Sequence, residues 1–275
     1  MKIRFKNNKK YSFNFTFGFI LSALMIGLIV IGFFWTPFDS DAMQPDFMLK
    51  GPSLLHPFGT DQFGRDVLSR VLVGGGNSLM VAIGAVLIGG TVGTIIGGIT
   101  GFFGGWLDEG LMRINDALAA FPSVLIALVI ISVSGSGRRE MIIALGLAFI
   151  PSFARVVRGE FLRFREADFV TSARLIKVPP HRIMFVHILP NLIPVLLSAI
   201  TIGFNNAVLA EAGMSYLGIG VQPPDASLGR MLSESQTFLA TGPWCAIFPG
   251  VFLVLLILGV GMLGEGILDQ FGGGR

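Results

Sequence analysis

Charge is what this sequence has least of. Only 13% of its 275 residues are Asp, Glu, Lys or Arg, roughly half of what a soluble domain carries, which excludes an ordinary water-facing globular enzyme. There is one cysteine, Cys245. An intramolecular disulfide is therefore ruled out, no Cys pair stands at metal-ligand spacing, and Cys245 reads as a small apolar residue inside a helix. The phosphate-binding pattern Gly-x-x-x-x-Gly-Lys-Ser/Thr is missing, so this chain is not expected to hydrolyse ATP. No Ser/His/Asp or zinc motif stands out, and no catalytic pair falls inside the apolar runs. The alternating ten-residue strands of a membrane β-barrel are also absent.

What is present is apolar. Hydrophobic residues make up 52% of the chain and mean hydropathy is +0.74. Several runs are about 20 residues long, enough to cross a ~30 Å hydrocarbon core as helices. The expected fold class is an all-α polytopic membrane protein.

In chain order, residues 1–16 carry Lys2, Arg4, Lys6, Lys9 and Lys10 and no acid. A first span is expected over 17–36; it is longer than a signal-peptide core and lacks a small-residue cleavage site. A polar segment, 37–76, contains HPFGTDQFGRDVLSR. The membrane core is expected over 77–275. Its first span, Leu79 to Phe103, carries Gly89, Gly93, Gly97 and Gly101, four apart, a stripe that lets another backbone approach closely or lines a groove. Further spans are expected at Ile114–Val133, with Pro122 kinking it, at Met141–Val157 with Pro151, at Pro190–Leu209 and at Trp244–Leu263. Residues 211–243 read as a long re-entrant or extramembrane loop, and 264–275 as a short tail.

Six spans with an internal N-terminus place fourteen of the twenty Lys and Arg on cytoplasmic segments and six outside, the asymmetry that sets topology. Seven of the fourteen lie between Arg155 and Pro194, at Arg155, Arg158, Arg163, Arg165, Arg174, Lys177 and Arg182. This stretch is read as a surface presented to something in water. Within it, Asp168 suits a helix N-terminus, Phe169, Ala173 and Ile176 recur at helical spacing, and Pro179-Pro180 stops the helix. A short amphipathic helix is therefore expected at about 168–178. By its residues alone it could lie on lipid headgroups or seat in a groove of a soluble partner. His181 and His187, six apart, do not share a helix face, which argues against metal ligation.

Polar groups within spans are costly and usually face the protein interior. Asp116, Asn205, Asn206 and Glu211 are therefore candidates either for interhelical hydrogen bonds or for lining a translocation path.

Four separated stretches resemble one family. They are FGTDQFGRDVLSR (58–70, with Gly59, Thr60, Asp61, Gly64, Arg65 and Asp66), Met112-Arg113…Asp116…Pro122, His187-Ile188-Leu189-Pro190-Asn191, and EAGMSYLGIGVQPP (211–224). With TSARLIK before HILPN, they resemble the C-type permease of dipeptide, oligopeptide and nickel ABC importers, over nearly the whole chain from residue 58. The resemblance implies a type I importer permease fold with six transmembrane helices. It implies a cytoplasmic coupling helix that inserts into an ATPase cleft, with Asp168, Phe169, Val170, Thr171, Ala173, Arg174, Leu175 and Lys177 as contacts. The implied partners are a B-type permease forming a heterodimer, two cytoplasmic ATPases that bind the ATP and Mg, an extracytoplasmic binding protein and membrane lipid, with no nucleic acid. No cofactor is expected in this chain. Short peptides are the expected cargo, nickel or a metal chelate the alternative. A self-contained channel or secondary carrier is the rival from another class, though no inverted repeat supports it. The sequence departs from the family pattern at Thr171 (usually Glu), Lys177 (usually Gly), Asn77 (usually Arg), Leu228 (usually aromatic), and Gly261, Glu265 and Leu268.

Overall fold

The structure, a computed structural model, describes residues 13–272. The five basic residues of the N-terminal segment and Arg275 lie outside the described residues. Among these, five helices are long and apolar enough to cross a membrane, and one bent helix pair makes a sixth candidate.

Helix α1 (Phe13–Phe34) lies along α10 (Trp244–Gly272), joining the two ends of the chain. A Cβ on Gly266 would collide with the backbone of Phe15, and one on Gly18 with that of Leu263. Helix α10 runs past the expected end of its span, so most of the expected tail is helical.

Helix α2 (Val67–Phe103) begins a dozen residues earlier than hydropathy suggests, so 67–76 belongs to it and not to the polar segment. Its partner is α5 (Arg138–Arg165). The glycine stripe is the seam between them. A Cβ on Gly93 would sit 2.5 Å from Phe153 Cβ, one on Gly101 would sit 2.6 Å from Phe161 Cβ, and one on Gly97 would strike the Ala154 carbonyl. Missing side chains bring these two backbones together.

The third span is broken, not kinked. Helices α3 (Gly105–Ala119) and α4 (Ser123–Ser134) meet at 86°. Pro122 disfavours helical geometry at Phe121 and serves as the N-cap of α4. Upstream, α3 carries Asp108, Glu109, Arg113 and Asp116, too much charge for hydrocarbon. With 12 residues, α4 is about 18 Å long, short of a ~30 Å core by itself, so the pair forms a span only with the end of α3 included.

After α5 come α6 (Asp168–Leu175), a single turn α7 (Pro180–Arg182), a π-helical turn at Ile183–Ile188 and α8 (Leu189–Tyr216). The π turn precedes Pro190, whose missing N–H cannot bond the carbonyl four residues back. Asn191 Nδ2 donates to the His187 carbonyl at 2.6 Å. Because α8 reaches Tyr216, residues 211–216 are helix, not loop. The connection that follows holds α9 (Leu228–Ser235), capped by Ser227.

Residues 36–66 form a platform at the start of α2. Asp66 caps α2, accepting from Ser69 N at 2.8 Å, and its other oxygen meets His56 Nδ1 at 2.9 Å. Asp61 closes a turn by accepting from the Phe63 and Arg65 amides, with Gly64 at φ +75° against Gln44. The Thr60 hydroxyl bonds the Phe47 carbonyl, and Trp244 Nε1 donates to the Thr60 carbonyl at 3.0 Å. The 59–66 motif thus fastens the platform to α2 and α10 at once.

Candidate functional site

Two features stand out: a cavity between α5 and α8, and the face of α6. The cavity has a volume of about 390 Å³ and draws its walls from α4, α5, α8 and the end of α10. On α5, residues 149, 152, 153 and 156 fall on one helical stripe, and on α8 so do 195, 199, 202 and 206. Phe149, Phe153 and Ile202 give it apolar walls; Ser152, Ser198 and Asn206 give it hydroxyls and an amide. No charged side chain is among its lining residues.

Of the four candidate path residues, only Asn206 lies on this cavity. Asn205, one position back, turns toward α10, where its Nδ2 would lie 3.0 Å from a Cβ on Gly261. Asp116 lies on the polar side of α3 and pairs with Arg155 at 2.9 Å, both side chains about 60% exposed. Glu211 is completely buried. It accepts from Ser78 at 2.5 Å and Ser215 at 2.7 Å, and Ser215 Oγ accepts from the Val221 amide. Glu211 is therefore a knot tying α2, α8 and the 217–227 loop, and not a lining group. The lining serines gave no signal as residues, although their helical spacing beside Asn206 could have found them.

The charged stretch that begins within α5 divides in the same way. Arg158 holds Asp108 of α3 through both ends of its guanidinium (2.5 and 2.7 Å), Arg155 holds Asp116, and Arg163 pairs with Glu160. Asn115 Nδ2 reaches the Pro151 carbonyl at 3.3 Å. Arg155 and Arg158, expected to face water for a partner, instead clamp α3 onto α5.

Helix α6 starts at Asp168, as the sequence suggests, but it is seated the other way round. Val170 and Ala173 are buried in a small core with Phe102, Phe161, Ile183 and Ile188. These two expected contact residues are thus the anchor of α6 to its own chain, a correction that follows from their small size and apolarity. What α6 leaves free is Asp168, Thr171, Arg174, Lys177 and the apolar Phe169, Leu175 and Ile176, at 37%, 79% and 78% exposure for the last three. Arg174 lies 5.5 Å above the Phe102 ring, a cation–π contact.

The helix ends in a Schellman turn. Val178 N donates to the Ala173 carbonyl at 3.0 Å and Lys177 N to that of Arg174 at 2.9 Å. This turn needs a left-handed residue at its centre, and Lys177 supplies it at φ +56°. A side chain there costs about 1 kcal/mol relative to glycine.

Comparison with known proteins gives the family. The family model described as "Binding-protein-dependent transport system inner membrane component" matches residues 93–271. A dipeptide transport system permease protein DppC from Alkalihalophilus pseudofirmus is 40% identical over 82% of this chain and 74% of its own length. A glutathione transport system permease protein GsiD from Escherichia coli is 39% identical over 89% of this chain and 82% of its own length. Among solved structures, the MetNI methionine ABC transporter in an inward-facing conformation matches with a TM-score of 0.60 at 19% identity, over 71% of this chain and 93% of that one, a likeness of fold. With a glycine-seamed helix core, a short helix anchored beside it and these relatives, the chain belongs to the family of binding-protein-dependent transport system inner membrane components.

Proposed function

We propose that the chain is one of two membrane-spanning subunits of an ATP-driven importer of short peptides, and that the cavity between α5 and α8 is its share of the translocation path. The uncharged lining carries this reading. A zwitterionic peptide needs hydrogen bonds for its backbone but no fixed charge that would trap it, because conduction requires weak sites. Ser152, Ser198 and Asn206 on apolar walls supply that. The names of the dipeptide and glutathione relatives support the cargo class.

The α6 end lies in the cytoplasm of a bacterial cell, with both chain termini on that side. The basic asymmetry supports this, as does the contact of Gly266 with Phe15 near the two chain ends. Two cytoplasmic ATPases hold ATP and magnesium, a B-type permease completes a heterodimer, and an extracytoplasmic binding protein delivers the peptide. Closure of the ATPase dimer pulls α6. Its buried Val170 and Ala173 pass the movement to α5 and the π turn, and α5 carries it to the cavity wall, a rigid-body switch between inward and outward openings.

The test is uptake of a radiolabelled dipeptide by proteoliposomes holding the whole complex. Asn206→Trp fills the cavity and is expected to reduce uptake by at least about tenfold while leaving ATPase assembly intact. Full uptake by that variant would move the path elsewhere. Nickel uptake in place of dipeptide would select the metal branch, and transport by this chain alone would make it a carrier.

A further inference from the structure

We propose that Lys177 is an electrostatic selector for the ATPase: its ammonium docks on a carboxylate at the rim of the groove that receives α6. This rests on the reading of α6 as the docking helix. Three observations converge on it. The first is backbone geometry. Lys177 sits at φ +56° at the centre of the Schellman turn, a position where glycine is free and any β-carbon is strained. Such strain persists where the side chain is put to use.

The second is the state of the charge. Lys177 is exposed, and no salt bridge within the described residues involves it. Of the other basic residues in this stretch, Arg158 is held by Asp108, Arg163 by Glu160, and Arg174 lies over Phe102, while Arg165 and Arg182, like Lys177, make no salt bridge among the described residues. The third is its setting. Leu175 and Ile176, 79% and 78% exposed, immediately precede it. The end of α6 therefore presents two apolar side chains beside one unpaired cation. That is the make-up of an interface with an apolar centre and a charged rim, and rim charges decide partner choice and on-rate more than bulk affinity.

The occupant this fits is a groove with an apolar floor and an acidic lip. Anionic lipid is the other surface that would attract a lysine, and the experiment separates the two. The permease pair is reconstituted in nanodiscs of neutral lipid, and binding of the purified ATPases is measured from low to high KCl. Lys177→Gly relieves the backbone strain, so folding is not in question. It is expected to weaken binding about three- to fivefold at low salt, the scale of one exposed pair, and to converge on the unsubstituted chain near 0.5 M salt. Lys177→Arg keeps the charge and is expected to bind normally. Equal binding by Lys177→Gly at all salt concentrations would overturn the proposal, as would a loss of binding that appears only in anionic nanodiscs. Leu175→Asp separates this outcome from failure of the underlying reading: if it too leaves binding unchanged, α6 is not the docking helix at all. If it abolishes binding while Lys177→Gly does not, only the role of Lys177 falls.

Discussion

Arg158 and Asp108 meet fork to fork, Nε on Oδ1 and Nη2 on Oδ2 at 2.5 and 2.7 Å, and through this contact an amphipathic helix is clamped to the arm that leads into α6. Nearby, Arg155 and Asp116 make a second contact of the same sign pattern, but in the open. Burial separates them: the first pair is 31% and 16% exposed, the second 59% and 60%.

Asp108→Ala is therefore expected to destabilise the purified subunit by about 1 kcal/mol, since a bidentate, partly shielded pair lies at the upper end for ion pairs. Asp116→Ala is expected to stay within about 0.5 kcal/mol of zero, in the range of solvent-screened pairs. Thermal unfolding in detergent, at low and high salt, would show whether the two differ. Equal effects would mean that the clamp depends on something other than its guanidinium fork.

Glu211 should tolerate amide but not truncation. Glu211→Gln keeps the volume and the carbonyl that Ser78 or Ser215 can reach. Glu211→Ala leaves a cavity and two buried hydroxyls without their acceptor, a loss of about 3 kcal/mol from both sources. Membrane abundance after a chase, with a fluorescent tag to count folded protein, would report the contrast.

For the α2–α5 seam the prediction concerns size alone. Gly97→Val forces two backbones apart and is expected to cost more than about 3 kcal/mol, so little folded protein should reach the membrane. Gly27→Ala on α1 has open space around its new methyl and should express normally, with a gain of a few tenths of a kcal/mol from helix propensity. Normal expression of Gly97→Val would mean that the helices are further apart than described.

Ala173→Glu would place a carboxylate among Phe102, Phe161 and Ile188, at a cost of several kcal/mol. The expected result is a subunit with a loosened α6 that is cleaved faster by protease within 166–182, even before any ATPase is added. The exposed Leu175→Asp should leave protease resistance unchanged.

Much of this architecture could be read from the chain, and the failures share a cause. Apolar length found the long helices, and the four-residue glycine spacing found the α2–α5 seam. Hydropathy stops short at 67–76, where Ser69, Arg70 and three glycines interrupt the apolar run, and at 211–216, where Glu211 and Ser215 do, because it reports environment and not backbone hydrogen bonding. The break at Pro122 reads as a kink in sequence because the apolar run from Ile114 to Val133 passes through it, and nothing in that run shows the chain turning by 86°. Periodicity put Ala173 on a face with Phe169 and Ile176 but could not say which face turns inward. Val170, three residues before Ala173, was the clue that the small apolar side faces home. The cavity stayed hidden because its serines are unremarkable singly and gain meaning only when α5 and α8 stand side by side.

The pairing of α1 with α10 has a consequence for biogenesis. Synthesis proceeds from the N-terminus, so α1 is made well before its partner α10. Until α10 is made the groove at Gly18 has no backbone to receive, and lipid must fill it. A chain stopped before residue 244 would lack α10 and leave this face of α1 bare, so the α1–α10 contact acts as a completion mark that only a chain carrying α10 can bear.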